Sequence, residues 1–444
     1  MGERYYDLLK DKYDIACFAD NDPNKQGKKY LSLDIIDPNR IVELGLTVII
    51  ALGHEYRLKV VRQLLDLGIK EFFIPESNNS TGLSHIDFRA YPALTQQKNK
   101  ICVFSNNYSG MLSKSFLTNN PFNDIKVVLI NKAKCDREYF YHYLTCSLII
   151  TMNYEEVEES KKTIEMGHGF TIKKQHYLSK DKNELDISDG IHKRLMSKNA
   201  ICSLSEFSTI FWGYCSYIPY EKFHITGYPR NDMLFTSNGR ECLESIYGEI
   251  NKKYIVIYLP TYRINSFTQN GENVFIFDML DFDIENFDKY LNDHNILFIT
   301  KMHSAQVRQE AVCENENIRI LTDEMLGEHD VDLYEILNGT DCLISDYSSV
   351  IIDYLLTDKP MIFTPTDLDA YAETKGIMME PYDAWMPGEI ALNYEQLRQA
   401  ISNALFGEDK YKKDRERLKR ITHKYTDAKS TERVLALAKE LMEV

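Results

Sequence analysis

What the 444-residue chain lacks narrows the field first. No apolar run approaches the roughly 20 residues that a membrane span needs. The opening stretch, MGERYYDLLKDKYD, is charged and carries no apolar signal region. The expectation is a cytoplasmic protein whose membrane contact, if any, is peripheral, at the inner face of the cell membrane. None of the nine cysteines forms a C-x-x-C pair, and several lie in apolar runs such as AICSL and DCLIS. Reduced core thiols are therefore expected rather than a zinc site or a disulfide framework. Basic residues are outnumbered, 52 against 67 acidic ones, and the net charge of -15 argues against nucleic acid as a partner. A small anionic ligand stays open, because helix N-termini and local cationic clusters act at short range.

Two further absences concern cofactors. Asp20-Asn21-Asp22-Pro23 follows a strand-like run, where an acid could hold a ribose. A dinucleotide fold also needs a first strand and a glycine-rich turn, and MGERYYDLL already reads as helix. Asp281-Phe282-Asp283 imitates a D-x-D metal motif but sits in LDFDIENFD, an acidic stretch that reads as a solvated helix start. No cofactor and no metal are expected.

What is present is a long alternation of strand and helix signals, too long for one core. Residues 1–85 read as a small, incomplete Rossmann-like α/β unit, with DIACFAD, TVIIAL and EFFIP as strands, EYRLKVVRQLLDLGI as a helix, and ESNNSTGLSH as a polar linker. ICVFSN, KVVLIN, SLIIT, KKTIEM, AICSLS and FHITG follow, then KYIVIYLP, NILFITKM, IRILTD, DCLIS and KPMIF. Short apolar runs separated by helix-length segments are the texture of parallel sheets covered on both faces. The expected fold class is α/β: two doubly wound Rossmann-like domains facing across a cleft (GT-B), at 100–240 and 241–405, preceded by the small unit and followed by C-terminal helices at 406–444.

In such sheets ligands bind beyond the carboxyl ends of the strands. Those ends carry Pro260-Thr261-Tyr262-Arg263, Lys301-Met302-His303-Ser304, Asp346-Tyr347-Ser348-Ser349 and Thr364-Pro365-Thr366-Asp367. In the first half, Gly167-His168-Gly169 and Lys173 follow one strand, and Arg230 lies in a turn after another. Glycines on both sides of His168 leave its ring accessible and allow close backbone approach. Each signal has a plain reading in isolation: Ser348 as a helix N-cap, Asp346 as a turn residue, His168 as a loop histidine, Lys301 or His303 as solvent-facing.

Gly167-His168-Gly169 with Lys173, ITGYPRND (225–232), YLPTYR (258–263), KMHS (301–304), DLYEIL (332–337) and LISDYSSVIIDY (343–354) together resemble the CDP-glycerol glycerophosphotransferases, from about residue 100 onward. The resemblance implies a GT-B fold with the CDP-alditol in the C-terminal domain. It implies His168 as catalytic base, His303 acting at the donor phosphates, Ser348 and Ser349 contacting the donor, and Asp353 as the acid of the following helix. Thr261, Arg263 and Lys301 complete the expected donor site; Gly169, Lys173 and Arg230 are candidates for phosphate or acceptor contacts. The sequence departs from the family with Gly167 where a Trp usually precedes the His-Gly pair, and with Lys375-Gly376 in place of Arg-Gly. Residues 1–85 resemble the epimerase-like Rossmann fragment fused to some surface-polysaccharide enzymes, without its first strand.

The implied reaction moves an alditol phosphate, glycerol phosphate first, from a CDP-alditol to an acceptor hydroxyl, releasing CMP, in teichoic-acid-like or capsular polymer synthesis. The implied partners are the CDP-alditol, a glycan or lipid-linked glycan acceptor, and other polysaccharide-biosynthesis enzymes through residues 1–85. Lys193, Arg194 and Lys198, or KKDRERLKR (412–420), are the segments that could meet a membrane. A GT-B glycosyltransferase using a UDP- or CDP-sugar and a non-catalytic scaffold are the alternatives.

Overall fold

The computed structural model describes residues 2–76, 82–91, 94–105, 113–131, 133–167, 169–170, 172–261, 279, 281–301 and 314–443. The chain divides into two compact units, one of residues 1–106 and 128–147, the other of residues 107–127 and 148–444.

In the first unit, Cys17–Ala19 pairs in parallel with Leu33–Ile36, and Lys29–Tyr30 adds an antiparallel edge. The expected strand TVIIAL is reduced to a single parallel bridge from Ile49 to Phe73. EYRLKVVRQLLDLGI forms the helix His54–Asp66, which buries Val61 and Leu64 on one face. The end of the expected linker is instead a strand: Leu83–Asp87 pairs antiparallel with Glu71–Pro75, with Ile86 opposite Phe72 and both buried. Alternation across LSHID, with Ile86 turned to the core, outweighs the turn signal of the preceding NNSTG. Asp20 makes a turn, accepting the Asp22 N–H and pairing with Lys25 at 2.8 Å.

Lys100–Phe104 is a further strand of the first unit. Two parallel sheets organise the second unit. One holds, in spatial order, Phe223–Ile225, Ala200–Ser203, Lys162–Glu165 and Leu148–Thr151. The other sheet lies wholly in the second unit and is parallel throughout, ordered Ile318–Leu321, Ile296–Lys301, Tyr254–Leu259, Cys342–Ser345, Met361–Phe363, Glu389–Ile390. Its strands are near-continuous apolar runs because helices cover both faces. Phe287 and Leu291 of Ile284–Asp293, and Leu397, Ala400 and Ile401 of Tyr394–Phe406, pack with Val256, Phe298 and Ile344. The helix starts are local chemistry. The Asp283 carboxylate accepts the Glu285 and Asn286 N–H groups, so DFD is a cap, as its acidic context suggested. Asn393 caps the later helix through Gln396.

Tyr254–Leu259 is the first strand of this sheet in sequence. The chain then moves to one side for Ile296–Lys301 and Ile318–Leu321, and returns to the other side for the last three. The reversal falls between the strands ending at Leu259 and Ser345, which pair directly. A crevice opens beyond the strand ends at such a point, since the flanking connections leave in opposite directions.

Candidate active site

Thr261 and Asp346 meet at this reversal. The Thr261 N–H and hydroxyl both donate to Asp346 Oδ1, at 2.8 and 2.7 Å, and the Tyr347 N–H joins them at 2.6 Å. The Tyr382 hydroxyl donates to the Asp346 carbonyl at 2.7 Å. Asp346 thus ties two strand ends together rather than serving as a simple turn residue. Tyr347 is fully buried, stacked on Tyr371 with ring centroids 4.0 Å apart, and its hydroxyl donates to Asp367. With Asp346 and Tyr347 so engaged, Ser348 and Ser349 are left half-buried at the start of the helix Val350–Tyr354. The plain reading of Ser348 as an N-cap does not hold. The cap position belongs to Ser349, in α conformation and without a side-chain capping bond. Among the described residues neither hydroxyl has a hydrogen-bond partner.

The ITGYPRND segment explains itself residue by residue. Gly227 adopts φ +75°, and a Cβ there would lie 2.4 Å from the Ser430 hydroxyl. Pro229 occupies the first turn of the helix Pro229–Thr236, where a missing N–H costs nothing. The Arg230 Nε and Nη2 donate to Asp353 Oδ2 at 3.1 and 2.6 Å, and Asn231 Nδ2 donates to Oδ1 at 3.0 Å. Asp232 accepts the N–H groups of Ser430 and Thr431, at 2.8 and 2.7 Å, and so caps the terminal helix Ser430–Glu443. The Tyr334 hydroxyl adds a fourth donor to Asp353 at 2.7 Å. DLYEIL supplies that tyrosine on a short helix closed by a capping box between Asp332 and Glu335. Burial pushes the Asp332 carboxyl up to about 7.

Glu165 ends the strand Lys162–Glu165, is fully buried, and accepts from the Thr151 hydroxyl at 2.6 Å and the Gly167 N–H at 2.9 Å. Burial raises its pKa, against the opposing pull of the Lys198 ammonium 3.9 Å away. Gly167, at φ +66°, admits no side chain: a Cβ would be 2.3 Å from the Trp212 ring. Gly169, at φ +136°, is crowded by Arg230 Nη2 and the Ser349 hydroxyl, 2.7 and 3.1 Å from where a Cβ would stand. The close approach expected of the two glycines is therefore an approach of the protein's own groups. Phe170 packs with Phe207 and Phe211. Beyond it the chain pairs with 376–378, through Met378 N–H to Ile172 O at 2.8 Å and Lys174 N–H to Gly376 O at 3.1 Å. Lys375, at the departure from the family pattern, pairs with Asp181.

Of the residues singled out in the sequence, Gly169, Arg230, Ser349 and Asp353 come together directly. Thr261 lies at the strand reversal with Asp346. Lys301 ends the neighbouring strand and pairs with Asp323 at 2.8 Å. Lys173 places its ammonium 5.8 Å from the Tyr371 ring centre. His168, Arg263 and His303 lie outside the described residues. Asp353 is 0% exposed, and its carboxylate receives Arg230, Asn231 and Tyr334. Asn231, Tyr334 and Trp212 were not singled out. The first two stood inside quoted motifs; Trp212 gave no local signal. The one candidate cation cluster among the described residues, Glu71, His85 and Asp87, is in the first unit, where Arg89 already pairs with both carboxylates.

Doubly wound parallel sheets with polar groups at the strand ends make this a GT-B-like protein, a transferase architecture. The solved wall teichoic acid polymerase TagF shares the fold, with a TM-score of 0.63 and 21% identity over 78% of this chain and 90% of that one. The chain belongs to the CDP-Glycerol:Poly(glycerophosphate) glycerophosphotransferase family, whose profile matches residues 98–439. It is 30% identical over 214 residues to the teichoic acid ribitol-phosphate polymerase TarK of Staphylococcus aureus (strain NCTC 8325 / PS 47), covering 47% of this chain and 39% of that protein. It is also 30% identical over 224 residues to the teichoic acid glycerol-phosphate transferase of the same strain, covering 49% and 54%. The chain thus spans about half or less of these relatives' lengths.

Proposed function

We propose that the protein transfers an alditol phosphate, glycerol phosphate first, from a CDP-alditol to an acceptor hydroxyl, releasing CMP, in synthesis of a teichoic-acid-like or related surface polymer. The observation that carries this reading is the meeting of Gly169, Arg230 and Ser349. A Cβ on Gly169, the residue after His168, would stand 3.1 Å from the hydroxyl of Ser349, a candidate donor contact, which supports the two motifs serving one site. Family membership supports the same reading, as does the solved form of TagF described with CDPG.

In this reading 100–240 holds the acceptor side and 241–405 the donor. His168 takes the proton of the acceptor hydroxyl; a base of near-neutral pKa at this step contributes typically about 10²–10⁴-fold. The acceptor oxygen bonds to the phosphorus bearing the alditol, and that phosphorus loses its bond to the bridging oxygen, which leaves with CMP. Charge grows on the bridging oxygen. Ser348 and Ser349 supply hydroxyl donors, and His303, Lys301 and Arg263 supply cationic ones. Thr261, whose hydroxyl donates to Asp346, lines the donor side with its oxygen as an acceptor. Lys173 lies on the acceptor side. Asp353, whose oxygens are taken by protein donors, acts on this site through Arg230.

No helix among the described residues is long and apolar enough to cross a membrane. An acceptor on a lipid carrier would be met from the membrane surface, and residues 1–85 would serve contacts with other enzymes of the pathway. The test is a donor screen. CMP release from CDP-glycerol or CDP-ribitol with a broad acceptor panel is expected, nearly abolished in folded His168→Ala. Silence with every CDP-alditol, together with thermal stabilisation by UDP-sugars alone, would move the assignment to a glycosyltransferase.

A further inference from the structure

An arginine in a phosphate-transfer site is ordinarily assigned to the phosphate. Arg230 has little freedom for that role. Its side chain is 5% exposed, its Nε and Nη2 are committed to Asp353, and its guanidinium lies between the rings of Tyr228 and Tyr334, at 5.2 and 5.0 Å. Burial alone would weaken its proton affinity. The Asp353 carboxylate, with Tyr334 and Tyr228, more than reverses this and holds the cation charged. Asp353 lies on the helix that Ser349 opens, four residues further on. The face of Gly169 that would carry a Cβ meets Arg230 Nη2 and the Ser349 hydroxyl together. One buried ion pair therefore bears on two things at once: the backbone at Gly169, next in sequence to His168, and the helix that presents Ser349, through Asp353.

We propose that Arg230 is a positioning residue: the buried Arg230–Asp353 pair, backed by Tyr334 and Asn231, sets the separation between the backbone at Gly169, next in sequence to His168, and Ser349, and does not itself bind the donor. This rests on the transferase reading above. A planar fork suits the task where a lysine would not, because two of its N–H groups reach one carboxylate while its edge abuts Gly169. Reaction between bound groups is sensitive to displacements of about 1 Å, which cost on the order of 10²-fold.

The experiment compares Asp353→Asn, Arg230→Lys and the double variant in the full chain. Positioning predicts that Asp353→Asn, at a residue that cannot reach the donor, lowers kcat about 100-fold with donor KM within threefold of wild type. Arg230→Lys should match it, and the double variant should be no worse than either. A direct phosphate contact predicts instead that Arg230→Lys raises donor KM tenfold or more while Asp353→Asn leaves it alone, and that pattern overturns the proposal. A second arm needs no turnover. Hydrogen exchange in Asp353→Asn should speed up across 165–172 and 345–352 while 430–443 keeps its protection. Unchanged exchange in both segments overturns the proposal even if CMP is released. Faster exchange in a protein that releases no CMP leaves the pair's positioning role standing and sinks the transferase reading alone.

Discussion

Asp232 offers a direct test of how the GYPRND segment holds the molecule. Its two carboxylate oxygens receive the first two N–H groups of the terminal helix, at 2.8 and 2.7 Å, and the residue is fully buried. A hydrogen bond to a charged group contributes about 1.5–3 kcal/mol. Two of them would suggest roughly 3–6 kcal/mol, but that gross figure is not the net one. Burial lifts the Asp232 pKa above the usual carboxylate range despite both bonds, so desolvation of the charge outweighs them in part. Asp232→Ala removes the charge and its desolvation cost but strands two buried N–H groups, each at about 1–3 kcal/mol. The expected loss is about 2–4 kcal/mol, above the roughly 0.5–2 kcal/mol of ordinary helix-cap removal because both stranded N–H groups are buried. At ~2–4 °C per kcal/mol for a unit of this size, Tm should fall by roughly 5–15 °C. Asp232→Asn keeps one acceptor and should fall by about half as much. Calorimetry reads the shift, and hydrogen exchange at 430–443 reports whether the terminal helix is what loosened. A Tm within 1 °C of wild type for Asp232→Ala, with 430–443 still protected, would refute the reasoning.

Gly169→Ala should cut turnover at least tenfold: φ +136° is closed to alanine, and its methyl would press Arg230 and Ser349 apart. Steady-state kinetics with circular dichroism separates this from misfolding. Ser348→Ala with Ser349→Ala should weaken CDP-alditol binding, read as thermal stabilisation by the ligand, and change the apo Tm by little, because neither hydroxyl caps its helix. An intact ligand shift with a large apo loss would return both serines to a purely structural role. Two buried groups give the stability a concealed pH dependence. Burial holds His423 neutral, its pKa lowered to about 4. Its unfolded form binds the extra proton, so its contribution, roughly 3 kcal/mol, is present above pH 6.5 and lost as pH falls toward 4. Asp332, raised to about 7, has the opposite sign and loses a comparable contribution as pH rises from about 4 toward 7. The two offset each other in the wild type. Urea titrations at stepped pH should show Asp332→Asn gaining stability from pH 4 to 6.5 and His423→Phe losing it. Parallel curves for all three proteins would contradict both assignments.

Local pattern determined much of this protein. YIVIYL, ILFIT and CLIS are parallel strands because nearly every position is apolar and no Gly or Pro interrupts them. Asp283, Asn393 and Asp332 start helices because a short acceptor precedes each apolar run. The polar tetrads at the strand ends were legible for the same reason: the run stops and chemistry begins. Where local signals competed, the reading slipped. ESNNSTGLSH reads as linker because of NNSTG, yet its last three residues open the strand Leu83–Asp87. Tertiary structure alone decided what the motifs do. Arg230 and Asp353 are 123 residues apart, and Asp232 and Ser430 are 198 apart. No local period or spacing encodes a pair so distant. Arg230 reads as a candidate phosphate or acceptor contact because an arginine in a turn is ordinarily free. Its burial against two tyrosines and a carboxylate, which supports the positioning role proposed above, is a product of packing. The sequence determined which residues are competent for the chemistry. Packing of elements remote in the chain decided which of them are still available for it, since a buried charge must find its partner within the fold.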